Sequence, residues 1–126
     1  MDISPQHVIT EWHASVNSGD TQRSAAAVGD PLVVLGPRGV GSITPHEFAQ
    51  WVRRSGIQLI PHAWHQVSEK LVVVEHDATW PGSHEPTSVA TVFRVNEGQV
   101  TAALRLSDVE QALKLAQICR EMAATE

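Results

Sequence analysis

The 126-residue chain has no tyrosine, a single cysteine and no long apolar run. Because tyrosine is missing, no phenol group is available to donate a proton in a site. Cys119, as the single cysteine, cannot form an intramolecular disulfide. The first residues lack the basic and apolar regions of a secretory signal. We therefore expect a reducing, cytoplasmic location. The aliphatic runs, such as Leu32–Leu35, are far shorter than the roughly 20 apolar residues of a membrane-spanning helix.

Positive charge is scarce and scattered. The chain has 9 lysines and arginines against 14 acidic residues, a net charge of −5, and Arg53 and Arg54 form the only adjacent basic pair. Nucleic acids and anionic membranes are bound through basic clusters, so we expect neither as a partner. The charge balance instead suits a protein that acts on a small molecule or on another protein.

The overall composition is that of an ordinary globular protein. Hydrophobic residues make up 42% and charged residues 18%, and the length predicts one domain that covers residues 1–126. The chain holds 7 histidines, the side chain that titrates near neutral pH. The glycine-rich segment 36–41 lacks the Gly-Lys-Ser/Thr ending of a phosphate-binding loop, and no cofactor is predicted.

Capping signals predict four helices. Ser4 and Asp20 are suitable N-caps for the first two helices, and a glycine follows the first. The third helix has the clearest start, because Thr44 is followed by a proline and by Glu47, which completes a capping box. The predicted helices cover about 5–18, 20–27, 44–56 and 108–124.

Alternating and apolar segments predict five strands between and after these helices. In 71–80 the alternation is clearest, with His76 on an apolar face and Glu75 and Asp77 on the other face. Helices followed by an antiparallel meander predict an α+β fold, in which a curved antiparallel sheet wraps around the N-terminal helices. We expect the C-terminal helix to lie over the open end of this cone or to join a dimer contact. The predicted strands cover about 31–35, 57–67, 71–80, 87–96 and 99–107.

Several turn and core segments stand in a characteristic order: Trp12–Asp20, Gly41, Trp51, Phe93–Val100, Arg105 and Asp108. Together they resemble the nuclear transport factor 2-like superfamily, which includes SnoaL-like and ketosteroid isomerase-like proteins. The resemblance covers roughly residues 5–113 and implies a cystatin-like, cone-shaped fold with a cavity inside the sheet. It also implies a homodimer that pairs through the outer faces of the sheets. The fold hosts many unrelated activities, so the resemblance does not select one.

The known catalysts of this superfamily can be compared residue by residue. Ketosteroid isomerases use a tyrosine, a protonated aspartate and an aspartate base. In this chain the tyrosine position falls on Trp12, the protonated aspartate on Thr91, and the base near Leu32–Leu35, where there is no carboxylate. Steroid isomerisation is therefore disfavoured. Epoxide hydrolases hold an arginine between two aspartates, and Arg105 is a candidate for the arginine without an evident aspartate pair. Dehydratases combine paired histidines with tyrosines, which this chain lacks.

His76 and Arg105 are the first candidates for chemistry, since the resemblance places both on the cavity face. A neutral imidazole at His76 would serve as a general base or acid; the alternative is a core histidine whose ring is satisfied by a neighbour. The guanidinium of Arg105 would bind a carboxylate or stabilise an oxyanion; the alternative is an internal ion pair with an acidic residue.

His65 is the third catalytic candidate, and its direction depends on the register of one hairpin. If Val67 pairs with Val72, His65 points inward; one extra loop residue brings Trp64 inward instead. The alternative for His65 is a surface position. His62 and His65 stand three apart on a strand, which points them to opposite faces, so no metal site is predicted.

Five further residues are candidates for ligand binding. By the resemblance, Thr91 and Phe93 lie on the cavity face. Trp12, Trp64 and Trp80 would form an aromatic box around an apolar or ring-shaped ligand; the alternative, favoured for Trp64, is a core position or a dimer surface. Arg38 lies in a loop that we expect at the cavity mouth, where it would meet an anionic ligand. Three functions fit these candidates: a lyase, isomerase or hydrolase using His76, a binding module with the same pocket, or a dimeric structural protein whose cone is filled by its own side chains.

Overall fold

The structure, a computed structural model, describes residues 4–36 and 39–125 of the chain. This part of the chain forms a curved six-stranded sheet with helices on both of its faces, and the strand order is β2-β1-β6-β5-β4-β3. The elements are α1 (Pro5–Ser18), α2 (Thr21–Ala26), β1 (Val28–Gly36), β2 (Gly39–Ile43), α3 (Pro45–Ser55), β3 (Gln58–Gln66), β4 (Leu71–Thr79), β5 (Thr87–Asn96), β6 (Gln99–Leu106) and α4 (Val109–Ala124).

The helices begin where the capping signals predict. The side chains of Ser4 and Asp20 accept hydrogen bonds from backbone N–H groups in the first turns of α1 and α2. At α3, Thr44 accepts from the backbone of Glu47 while the Glu47 carboxylate accepts from the backbone of Thr44, so the predicted capping box is formed. The α+β class and the four helices are thus confirmed. No described helix is both long and apolar enough to cross a membrane.

The sheet differs from the predicted meander at its first two strands. The predicted loop 36–41 overlaps a strand: β2 (Gly39–Ile43) pairs antiparallel with β1, with Leu35 opposite Val40. β1 in turn pairs parallel with β6, whereas β3 to β6 form the expected antiparallel order. The sheet is therefore mixed, because β1 runs beside β6 from the other end of the chain.

The inner face of the sheet carries the main core. Helices α1 and α3 pack against it through buried residues such as Ile9, Phe48 and Val52, which meet Val72 and Phe93 of the strands. Helix α1 contacts β4, β5 and β6 on this face, where the candidate site lies.

The outer face carries a second, smaller core, and α4 covers it. Ala112 and Ala116 are fully buried against Val73 and Val92. The expectation that α4 lies over the open end of the cone is therefore wrong, since its apolar stripe lies on the opposite side of the sheet from α1. The homodimer stays a prediction, and α4 rather than bare strands covers this part of the outer face.

Candidate functional site

A cavity of about 350 Å³ opens between the inner face of the sheet and helices α1 and α3. Its volume lies within the range of about 300–1,000 Å³ that is usual for ligand pockets. The apolar wall consists of Trp12, Val34, Leu35, Ile43, Phe48, Trp51, Ile57, Leu59 and Ala103. The polar side chains are Glu47, Arg54, His76, Thr91 and Arg105. The cone is therefore not filled by the described side chains.

His76 is the most deeply buried of the polar side chains that line the cavity. The alternation of β4 places it on the inner face, where it is 1% exposed and still lines the cavity. Its Nε2 lies 2.8 Å from the hydroxyl oxygen of Thr91, and its Nδ1 lies 3.0 Å from Nε2 of His13. His76 is thus hydrogen-bonded at both nitrogens and is also in contact with the cavity.

His13 is the site residue that the sequence analysis missed. It lies on α1, is 3% exposed, and its Nδ1 is 2.9 Å from the carbonyl oxygen of Ile9. The available signal is its position on the helix, because His13 follows Ile9 by four residues and shares the face formed by Ile9, Trp12 and Val16. A polar residue on that buried face needs a partner, and β4 supplies it in His76.

Burial keeps both imidazoles neutral. It lowers the pKa of His76 to about 3, with further contributions from the nearby His13, Arg105 and His62. Burial also lowers the pKa of His13 below its usual value, against a smaller opposite effect of the hydrogen bond to Ile9. Desolvation is the largest cause at both rings and disfavours the charged form, so both imidazoles are neutral at neutral pH.

Two arginines line the cavity, and Arg105 is the half-buried one, whereas Arg54 is exposed. Arg105 lies on β6, directly opposite Thr91 of β5. Its guanidinium carbon lies 5.7 Å from the ring centroid of Trp80, a cation–π contact. Within the described part of the chain, no carboxylate forms an ion pair with Arg105. The alternative of an internal ion pair thus finds no partner there.

The four candidate ligand-binding residues of the described chain have different positions. Trp12 and Thr91 line the cavity, whereas Phe93 and Trp80 do not. Phe93 is fully buried behind the site, with its ring centroid 4.9 Å from that of Trp12 and 5.7 Å from that of His13. Trp80 reaches the site only through Arg105. Neither Phe93 nor Trp80 lines the cavity, although both were candidates for ligand binding.

His65 does not point inward. An inward His65 would lie opposite Val74. In the structure Trp64 lies opposite Val74 and His65 lies opposite Val73, so the pairing differs by one residue. His65 bonds Glu75 on the outer side, with Nε2 2.8 Å from a carboxylate oxygen. The inward position belongs to Trp64, whose ring centroid lies 6.1 Å from that of His13. His65 is thus excluded from the candidate site.

Two further expectations concern anions and metals. Arg38, expected to meet an anionic ligand at the cavity mouth, lies outside the described residues. Nε2 of His62 lies 3.5 Å from a carboxylate oxygen of Asp77. This contact is on the outer side of the sheet, where His65 bonds Glu75. The two histidines share a side because a bulge in β3 interrupts the alternation between Pro61 and Ala63. The described residues hold no group of three or more histidine, cysteine or acidic side chains placed to bind a metal.

No protein-family model and no curated protein matches the chain. Solved structures do match its fold. An NTF2-like protein of unknown function from Cytophaga hutchinsonii has a TM-score of 0.74 and 12% identity, over 88% of this chain and 96% of that chain. An uncharacterized cystatin fold protein from Novosphingobium aromaticivorans has a TM-score of 0.69 and 13% identity, over 83% of this chain and 99% of that chain.

A third similar structure is described as an LEH-like epoxide hydrolase of M. tuberculosis. Its TM-score is 0.65 at 19% identity, and the match covers 93% of this chain and 94% of that chain. Identities of this size establish the fold and leave the activity open. The chain therefore has the NTF2-like, cystatin-type fold, and the resemblance found in the sequence is confirmed at the level of fold.

Proposed function

We propose that the cavity binds a small, mostly apolar carboxylate or enolate, and that His76 exchanges a proton with this ligand. The observation that carries the proposal is the half-buried Arg105, which faces a mainly apolar cavity without a described ion-pair partner, next to a neutral imidazole. A guanidinium in this position offers hydrogen-bond donors and a positive charge to an anion in the cavity. A ligand anion would supply the missing partner.

The apolar wall sets the remaining shape of the ligand. Phe48 stacks on Trp12 with ring centroids 5.9 Å apart, and Trp51 continues the stack with centroids 6.0 Å apart. All three rings line the cavity. A flat ring on the ligand would bury its faces against them while its anionic group reaches Arg105. We therefore propose an aromatic or alicyclic acid as the ligand class.

The proposed proton transfer uses Thr91 as well as His76. The ligand gives a proton from an acidic O–H or C–H bond to the Thr91 oxygen as the Thr91 proton passes to Nε2 of His76. The electron pair stays on the ligand as an oxyanion or enolate, which Arg105 stabilises. Return of the proton to a different ligand atom completes an isomerisation.

Epoxide hydrolysis of the kind that uses an arginine between two aspartates is not supported. Glu47 is the one carboxylate among the described cavity-lining residues, and it is engaged in the cap of α3. The general base near Arg105 is thus His76, which acts through the hydroxyl of Thr91.

A binding module without turnover is the second candidate function. The pKa of His76, about 3, favours it, because a general base works best when its pKa lies near the working pH. An anion bound at Arg105 would cancel part of the charge that holds this pKa down and would make the ring a better base. The two candidates therefore differ in what the ligand does to His76.

The binding proposal is tested with Arg105→Met and benzoate as the probe. Loss of a charge-assisted hydrogen bond is expected to weaken benzoate binding at least tenfold, measured by calorimetric titration at neutral pH. Arg94→Met is the matched control, since the exposed Arg94 bonds Thr101 through its guanidinium and does not line the cavity. Equal benzoate affinity in the wild type and Arg105→Met would overturn the proposal.

Proton transfer is tested with phenylpyruvate, an acid with an enolisable carbon next to its keto group. We expect the protein to accelerate exchange of the benzylic protons with deuterium in heavy water, and His76→Gln to abolish this acceleration while phenylpyruvate still binds. The measurement is the loss of the benzylic proton signal by NMR. Binding without accelerated exchange would leave the binding module as the function.

A further inference from the structure

We infer that His13 is a positioning residue. Before any proton transfer it holds the His76–Thr91 end of the cavity as a hydrogen-bond acceptor, so that the site selects acids with a hydroxyl or enol group beside the carboxylate. The inference rests on the proposed function, since it names the ligand class of the same cavity. It follows from a hydrogen-bond chain with only one consistent arrangement of protons.

The chain starts at a group that can only accept. The carbonyl oxygen of Ile9 has no proton to give, and it lies 2.9 Å from Nδ1 of His13. Nδ1 of His13 therefore carries the proton and donates it. In a neutral imidazole the other nitrogen then has only a lone pair, so Nε2 of His13 is an acceptor.

The same reasoning passes through the next two groups. Nε2 of His13 lies 3.0 Å from Nδ1 of His76, so Nδ1 of His76 must be the donor. Nε2 of His76 is then an acceptor, and the hydroxyl of Thr91, 2.8 Å away, donates to it. Both imidazoles hold their proton on Nδ1, although the Nε2–H form predominates for free histidine in water.

The outcome at the cavity is a group with lone pairs and no free proton. The Thr91 hydroxyl uses its only proton in the hydrogen bond that it donates to His76, so its oxygen presents lone pairs to a ligand. Thr91 and Arg105 are direct cross-strand neighbours, which puts this acceptor beside a guanidinium that only donates. A complementary ligand carries an anionic oxygen for Arg105 and, next to it, an O–H for Thr91.

The tautomers of the wild-type protein give the first readout. In the protein labelled with ¹⁵N at histidine, we expect both buried rings to show the Nδ1–H pattern of ring nitrogen shifts at pH 7.5. His13→Gln keeps an oxygen able to accept from His76 and should preserve the pattern at His76. His13→Leu removes the acceptor and should shift His76 toward the Nε2–H form. A wild-type His76 in the Nε2–H form would overturn the inference.

Ligand preference gives the second readout, with mandelate and benzoylformate as probes. Both are aryl carboxylates of similar size, but the first has a hydroxyl where the second has a keto oxygen. We expect the wild type and His13→Gln to bind mandelate about five- to tenfold more tightly than benzoylformate. We expect this ratio to fall toward one in His13→Leu, because Thr91 regains a proton to donate.

The outcomes separate the inference from the proposed function. Equal binding of the two acids by the wild type overturns the inferred selectivity and leaves anion binding at Arg105 intact. Binding of neither acid contradicts the proposed function, while the ring nitrogen shifts still decide the role of His13. A ratio that is unchanged in a folded His13→Leu protein shows that His13 does not set the preference.

Discussion

Phe93→Ala is expected to lower the free energy of unfolding by about 3–5 kcal/mol, the range for removing a buried phenylalanine ring. The Phe93 side chain is fully buried and packs against the rings of Trp12, His13 and His76, at centroid distances of 4.9, 5.7 and 6.3 Å. Its removal leaves a void behind the imidazole pair that these rigid rings cannot fill. Urea unfolding followed by circular dichroism measures the loss.

The matched control is Phe48→Ala. Phe48 is 2% exposed but lines the cavity, so part of its surface borders the cavity rather than packed side chains and fewer contacts are lost. We expect a smaller loss of stability at Phe48 and a larger loss of benzoate affinity. Phe93→Leu provides a milder variant if the alanine variant does not fold. A Phe93→Ala protein of wild-type stability but weakened benzoate binding would return Phe93 to the ligand wall.

The second large effect is a loss of stability on mild acidification. The pKa of His76 is about 3 in the folded protein against 6.5 for the ordinary histidine, and the pKa of His13 is also lowered. The unfolded chain therefore binds more protons than the folded chain below pH 6.5, and folding free energy is lost as the pH falls. The stabilisation is complete above pH 6.5 and disappears progressively toward pH 3. Each proton contributes a slope of about 1.4 kcal/mol per pH unit.

Urea unfolding at several values between pH 7.5 and 5 measures this slope before most carboxylates titrate. His76→Gln should reduce the slope by close to one proton, because glutamine does not ionise. His84→Gln is the control, since His84 is exposed in a turn and should leave the slope unchanged. If His76→Gln keeps the wild-type slope, the neutral buried pair is not the source of the acid sensitivity.

Local signals were sufficient for much of the fold. The helix caps at Ser4, Asp20 and Thr44 depend on residues within one turn, so their partners can be identified without the tertiary structure. Alternation put His76 on one apolar face of β4 together with Val72, Val74 and Ala78, and the resemblance placed that face on the cavity side. Arg105 and Thr91 were placed on the cavity face through the resemblance, and both line the cavity.

The errors arose where two distant segments meet. The direction of His65 depended on a one-residue difference in the pairing of β3 with β4, and a single slip exchanges the two faces of a strand. Phe93 and Trp80 share a face with cavity residues, but their depth along that face depends on how α1 packs. Whether Arg105 forms an internal ion pair likewise depended on which acidic groups the folded chain brings near it.

The amino-acid sequence by itself determined the helices, most of the strands and the α+β class, because caps and alternation act between residues close in the chain. Only the tertiary structure decided that β1 lies parallel to β6, that α4 covers the outer face, and that His13 meets His76 across 63 positions. A hydrogen bond between two buried rings needs both at a set distance and orientation. That geometry follows from the packing of α1 on the sheet, which no local pattern encodes.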